Sequence, residues 1–395
     1  MGVRRFLLLL NAAFLVVALS GASSQASVQA RWVIRDLGTL GEASAAVALN
    51  ERGQVAGWSS LRRERSPRHA FLWQSGRMRD LGTLGRDLGG DLPNVSEAIA
   101  VNDRGQVVGN SSVDQNDPVS YAFVWQGGRL TALAPGGGDS WAAAINERGQ
   151  VVGWRGNDIG YGRGRAFMWQ NGRLRLLGAL PGRSYSWAHA LNERGEVVGE
   201  SYSVDDAQDG VPVRTRAFLW RGGRLIDLGA LPGHRESSAL AINERGEVLG
   251  SSWRSAFDPV GRGFLRRAGK LVDLGALRPV ALNDRGQVIA NTGPERDAAR
   301  AVLWQNGRRI LLPTLGGKGS EAVALNGRGQ IVGASSTPTN ARHAVVWENG
   351  RITDLGTLGG RTSRASAINE RGQIVGVATT KDGIDHAVLW TVRSG

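Results

Sequence analysis

Six aromatic side chains between residues 141 and 202 are the strongest candidates for chemistry in this sequence: Trp141, Trp154, Tyr161, Tyr185, Trp187 and Tyr202. Large planar rings gathered in one stretch can stack on a sugar ring or anchor a protein partner. The competing role is packing, with the rings plugging a channel mouth or holding loops. A loop from Ser201 to Gly210 adds Asp205, Asp206 and Asp209, oxygen donors of the kind calcium takes. Their spacing lacks the alternating Asp pattern of a calcium loop, and a solvated polar loop explains them as well.

Other chemistries are poorly supplied. The chain has no cysteine, which removes thiol nucleophiles, thiolate metal sites and disulfides. The five histidines are His69, His189, His234, His343 and His386, and none lies in a His-Glu-x-x-His spacing. No Gly-x-Ser-x-Gly elbow is present. No catalytic residue, metal or cofactor is therefore assigned. Carboxylate pairs assembled from distant parts of the chain stay open.

The elements that must position the aromatics are repeats. Asn-x-Arg-Gly-Gln/Glu-Val/Ile recurs from Asn50, Asn102, Asn146, Asn192, Asn243, Asn283, Asn326 and Asn369. The spacing of 40 to 52 residues is that of a stacked or radial array. Within 140–180, Ser140 to Ile145 is a short apolar strand and Asn146 to Gly149 a tight turn. Asn starts turns through its side chain and Gly supplies positive φ. Gln150 to Trp154, Arg165 to Trp169 and Leu174 to Leu177 follow as further strands. The last two are joined through Asn171-Gly172, a strong hairpin signal. Four short antiparallel strands at this period make a propeller blade.

The third strand ends in Trp at Trp73, Trp125, Trp169, Trp220, Trp304, Trp347 and Trp390, which reads as packing between blades. Blade five has Arg266 at that position, and blade six has Ala290 in place of the usual second-strand Gly and an approach shortened after Pro279. Blades five and six are the expected weak region. The chain ends on a third strand, His386 to Trp390, with no fourth strand after it. Arg31 to Gly41 matches the missing strand and its loop, as seen again at Arg351 to Gly359. The prediction is an all-β, eight-bladed β-propeller of four-stranded blades. The N-terminal strand joins the last blade and closes the ring, which removes exposed sheet edges.

Residues 1–30 read as a signal peptide, with Arg4 and Arg5 before an apolar run from Phe6 to Leu19 and small residues ahead of Ala26 or Ala30. The run is shorter than the roughly 20 apolar residues a spanning helix needs. The expected domains are this leader, one propeller over 31–391 and a tail over 392–395. The expected place is outside the cytoplasm, secreted or periplasmic, as a monomer with no stable membrane insertion. The formal charge is +13, nearly all from Arg, and would be +11 without Arg4 and Arg5.

The third strands His69-Ala-Phe-Leu-Trp73, His343-Ala-Val-Val-Trp347 and His386-Ala-Val-Leu-Trp390 carry a family likeness, with Asp80 to Gly85, Asp354 to Gly360 and the Asn-Glu-Arg-Gly turns. Together they resemble the HAF-repeat family of bacterial extracellular repeat proteins, named for its His-Ala-Phe tripeptide. The resemblance covers 31–391 and implies secretion and a repeated all-β fold. It implies no catalytic residues. Tyr121, Arg165, Arg216, Gly263 and Arg300 replace the His in other units, which speaks against the His as a chemical group.

In such blades the first-to-second and third-to-fourth turns share one regular face. That face carries eight repeated Arg, from Arg52 to Arg371, and further cations from Arg77 to Arg351. The other face holds irregular loops, the usual carriers of function on a rigid scaffold. Trp141 and Trp187 begin innermost strands, so both are expected near the central channel there. The resulting expectation is a non-catalytic binding protein recognising a polysaccharide or a cell-surface protein through these aromatics. Two alternatives are a carbohydrate-active hydrolase or lyase, and a scaffold binding anionic polymers through the basic face. Specific nucleic-acid binding is not expected, because no aromatics are interleaved with the repeated Arg.

Overall fold

The computed structural model describes residues 32–393, apart from 62–66, 85–94, 113–119, 136–137, 157–163, 206–210, 256–257, 259–260 and 294–297. The described residues form eight four-stranded sheets and no helix. Blade one contains Ser44–Leu49, Val55–Ser60, Arg68–Gln74 and Arg77–Asp80, hydrogen-bonded in that order. Blades two to seven repeat this arrangement from Val95–Val101 onward. Blade eight has Gly359–Ile368, Ile374–Thr380 and Asp385–Val392, completed by Trp32–Asp36. Trp32 pairs with Val392 and Asp36 with Val388, antiparallel, so the N-terminal strand closes the ring. Blades five and six are also complete four-stranded sheets.

The repeated Asn explains both the turn and the ring. Oδ1 of Asn50 accepts the backbone N–H groups of Arg52 and Gln54 at 3.1 and 2.9 Å. Its Nδ2 donates to the side chain of Gln54 at 2.6 Å and to the carbonyl of Asn102 in the next blade at 2.8 Å. The Gly of the turn supplies the left-handed residue, with φ +77° at Gly53. Third-to-fourth turns have two left-handed residues, such as Asn171 and Gly172 at φ 50° and 80°. That is the geometry matching the twist of a hairpin.

Apolar side chains fill the seams between adjacent blades. One such seam joins Ala56, Ala70 and Leu72 of blade one to Val107, Phe123 and Trp125 of blade two. Trp73, Trp125, Trp220, Trp304, Trp347 and Trp390 are buried, as packing residues should be. Guanidinium groups on the preceding fourth strand cover some of them: Arg35 lies 5.8 Å from the Trp73 ring and Arg79 5.2 Å from that of Trp125. Among the described residues no helix is long and apolar enough to cross a membrane.

Candidate functional site at the channel mouth

First strands touch the first strands of both neighbouring blades all round the ring, so they line its axis. A Ser begins the buried pattern in seven of them and fixes how each strand starts. Ser96 accepts the N–H of Ala70 at 2.8 Å and donates to the carbonyl of Gly82 at 2.6 Å, tying blade two to blade one. Ser186 and Ser363 do the same for blades four and eight. The next residue lies between two buried ones, as in Ser140, Trp141 and Ala142. Alternation along the strand therefore turns that residue away from the seam and toward the channel.

This position is occupied by Ala45, Glu97, Trp141 and Trp187 in blades one to four. Blades five to eight have Ser238, Arg278, Glu321 and Arg364 there. The equivalence follows from register, because each pairs with the residue after the second-strand Gly or its replacement. Trp141 pairs with Trp154, Trp187 with Glu200 and Arg278 with Asn291. A Cβ on Gly153 would collide with the carbonyl of Trp141, so the Gly is required for the close approach of the two strands.

One sector of the mouth is aromatic. Trp141 is 38% exposed, and Trp187 is half-buried. Trp187 stacks on Trp154 at 5.6 Å between ring centroids and on His189 at 5.9 Å. Tyr185 pairs with Tyr202, their rings 5.9 Å apart. The structure thus gathers Trp141, Trp154, Trp187, Tyr185 and Tyr202 in blades three and four, while Tyr161 lies outside the described residues. Trp154 and Tyr202 are buried, at 2% and 1% exposure, and support the others instead of facing solvent. Trp154 sinks because Gly164 on the adjacent strand leaves room, and a Cβ there would collide with its ring. The accessible rings are those of Trp141, Trp187 and Tyr185.

Beside Trp187, as its cross-strand partner, lies Glu200, a carboxylate that the aromatic pattern does not reveal. Burial pushes the Glu200 carboxyl up, but His189 and Ser238 outweigh it and hold the group below its ordinary range. Nε2 of His189 is 3.8 Å from Oε1 of Glu200. Burial, with the Glu200 charge second, pushes the Tyr202 phenol up. Both His189 and Ser238 approach the carboxylate, so the contacts do not run nucleophile to base to acid as a Ser-His-Asp triad requires.

The opposite sector is charged. Oε2 of Glu321 receives Arg342 at 3.2 Å and Arg364 at 3.3 Å. Glu97 of blade two, beside the aromatic sector, pairs with Arg68 at 3.2 Å, and Arg68 lies over the Trp58 ring at 4.3 Å. Arg278 is exposed and, among the described residues, makes no hydrogen bond or ion pair. Motif searching misses these groups because they belong to no motif. Counting one residue on from each strand-opening Ser would find most of them.

No group of three His, Asp or Glu among the described residues is placed to hold a metal ion. Asp206 and Asp209, named above as calcium donors, lie outside the described residues.

The whole propeller is similar to peptidase propellers. A post-proline cleaving enzyme from Rickettsia typhi superposes with a TM-score of 0.53 at 9% identity, over 90% of this chain and 58% of that one. The β-propeller domain of the Trilobed protease from Pyrococcus furiosus, which has an open velcro topology, gives 0.49 at 10% identity, over 80% of this chain and 98% of that one. A puromycin hydrolase gives 0.49 at 15% identity, over 87% and 58%. At these identities the likeness is one of fold. No protein-family model matches the chain, and no curated protein matches it, so the HAF-repeat resemblance rests on its residues alone. The neighbours correct the expectation of a non-catalytic binding protein. A propeller of this build occurs in a post-proline cleaving enzyme, so the repeat architecture does not argue for a role apart from catalysis.

Proposed function

We propose that this chain is a peptidase-related scaffold that takes peptide in at the irregular-face mouth of its channel and presents it for hydrolysis. The observation that supports this reading is the divided mouth. Indoles at Trp141 and Trp187 stand across the ring from charges at Arg278, Glu321 and Arg364. A peptide offers apolar side chains to one sector and charged or amide groups to the other. Glu200, the cross-strand partner of Trp187, has its carboxyl held below the ordinary range and adds a negative charge to the aromatic side. Membership of the HAF-repeat family and export from the cytoplasm belong to the same reading, supported by His69-Ala-Phe71 and the apolar start of the chain.

Titration of the full chain with short proline-containing peptides, read by tryptophan fluorescence and by mass spectrometry of the peptide, tests the proposal. Saturable quenching is expected, weakened at least about tenfold by Trp187→Ala. A response to oligosaccharides with none to peptides would overturn it.

A further inference from the structure

The ring of channel-facing positions has a direction as well as two sectors. In an eight-bladed ring, blade two stands opposite blade six, and blade four opposite blade eight. Glu97 therefore faces Arg278 across the mouth, and Trp187 faces Arg364. The two arginines differ in what they are free to do. Arg364 is already held by Glu321, which also takes Arg342. Among the described residues the Arg278 side chain has no such partner, and Pro279 after it is buried. Its paired residue Asn291 is committed elsewhere, exchanging hydrogen bonds with the backbone of Ala322 in blade seven. Among the described residues Arg278 is thus an uncommitted guanidinium, set in a mouth whose other members are paired, aromatic or neutral.

We propose that Arg278 receives a peptide carboxylate at this mouth, while a large apolar side chain of the same peptide lies against Trp187 and Trp141. The inference rests on the peptide reading above and adds the polarity of the bound chain. A guanidinium matches a carboxylate in shape, with two parallel N–H···O bonds, and it stays charged at all working pH values. Glu97 on the far side is paired with Arg68 and offers an anion no free cation, so the carboxylate is drawn to blade six. The carboxylate can be the C-terminus of the peptide or an acidic side chain within it. The chemistry is shared, and the probes below separate the two sources.

The test uses the full chain and three probes: the tetrapeptide Ala-Pro-Ala-Phe as free acid, the same peptide as its C-terminal amide, and an amide with Asp in place of the third residue. Dissociation constants are read by calorimetry. The acid is expected to bind about tenfold more tightly than the plain amide. Arg278→Gln should remove that preference, so that acid and plain amide bind alike, with the circular dichroism spectrum unchanged. Tight binding of the Asp-containing amide assigns the site to acidic side chains as well as chain ends. Equal binding of acid and plain amide overturns this inference and leaves the peptide reading standing. An acid preference that survives in Arg278→Gln also overturns it. No binding of any probe overturns both.

Discussion

The side-chain amide of Asn369 donates to the backbone carbonyl of Asn50 at 3.0 Å, across 319 residues of chain. The same bond joins every other pair of neighbouring blades, from Asn50 to Asn102 at 2.8 Å through to Asn326 and Asn369 at 3.1 Å. The final seam is therefore made like the rest. It is reinforced on the rim by the backbone pairing of Trp32–Asp36 with Asp385–Val392 and by His386 Nδ1 at 2.8 Å from Asp36. The His386–Asp36 pair is partly exposed and contributes little by itself. The strand contributes far more.

Deleting residues 32–36 should therefore open the ring. It removes the outer strand of blade eight and uncovers a seam in which Trp32 and Ile34 pack against the cluster around Trp390. Several kcal/mol should be lost, a fall in thermal midpoint of the order of 10 °C. An unchanged midpoint in calorimetry would mean that the Asn relay alone closes the molecule.

Blades four and five replace a neutral contact with a charged one, and the replacement is testable as a pair. In blade one Gln54 donates to Gln74 at 2.9 Å. In blade four Glu196 stands at the first position and Arg221 at the second, and the two are bonded. Arg194 and Asn192 also reach Glu196 at 2.6 and 2.7 Å. Glu196→Gln or Arg221→Gln alone should cost about 1 kcal/mol, and the double variant should recover most of it. Burial pushes the Glu196 carboxyl up, but these partners outweigh it and hold it below its ordinary 4.5. Its stabilisation is present above that pH and lost as pH falls through the lower folded value. Urea unfolding from pH 6 to pH 3 should show a shallower acid loss in the double variant than in the parent.

Glu236 has the opposite sign. Burial pushes its carboxyl above 4.5 despite a backbone bond from Thr215 and nearby Arg183 and Arg216, and its Oε2 is buried with no hydrogen-bond partner among the described residues. A raised carboxyl favours folding below pH 4.5, where both states are protonated, and that contribution disappears as pH rises through the folded value. Glu236→Gln keeps an acceptor for Thr215 and removes the ionisation. It should stabilise the fold by about 1 kcal/mol at pH 7 and by nothing near pH 4. A variant less stable than the parent at pH 7 would show that the arginines stabilise the ionised form.

The local half of the site was legible from residue types. Ser140 to Ala142 and Ser186 to Ala188 announce a strand with one residue turned out of the seam, and Trp141 and Trp187 are conspicuous there. Glu200, Ser238 and Arg278 were not conspicuous. Each is an ordinary polar residue in its own unit, and its place depends on which blades flank it. Of the two roles open to the aromatics, Trp154 and Tyr202 take packing: both are buried, Trp154 in the space that Gly164 leaves.

By itself the sequence determined the blade count, the strand order within each blade and the strand that closes the ring. Those depend on turn chemistry at Asn and Gly and on alternation over a few residues, and they repeat eight times. Only the tertiary structure decided what stands across the channel from what. Closing eight blades into a circle brings Trp187 opposite Arg364 and Glu97 opposite Arg278, residues far apart along the chain. The charge and shape of a channel mouth are sums over all the blades, and no single repeat contains them.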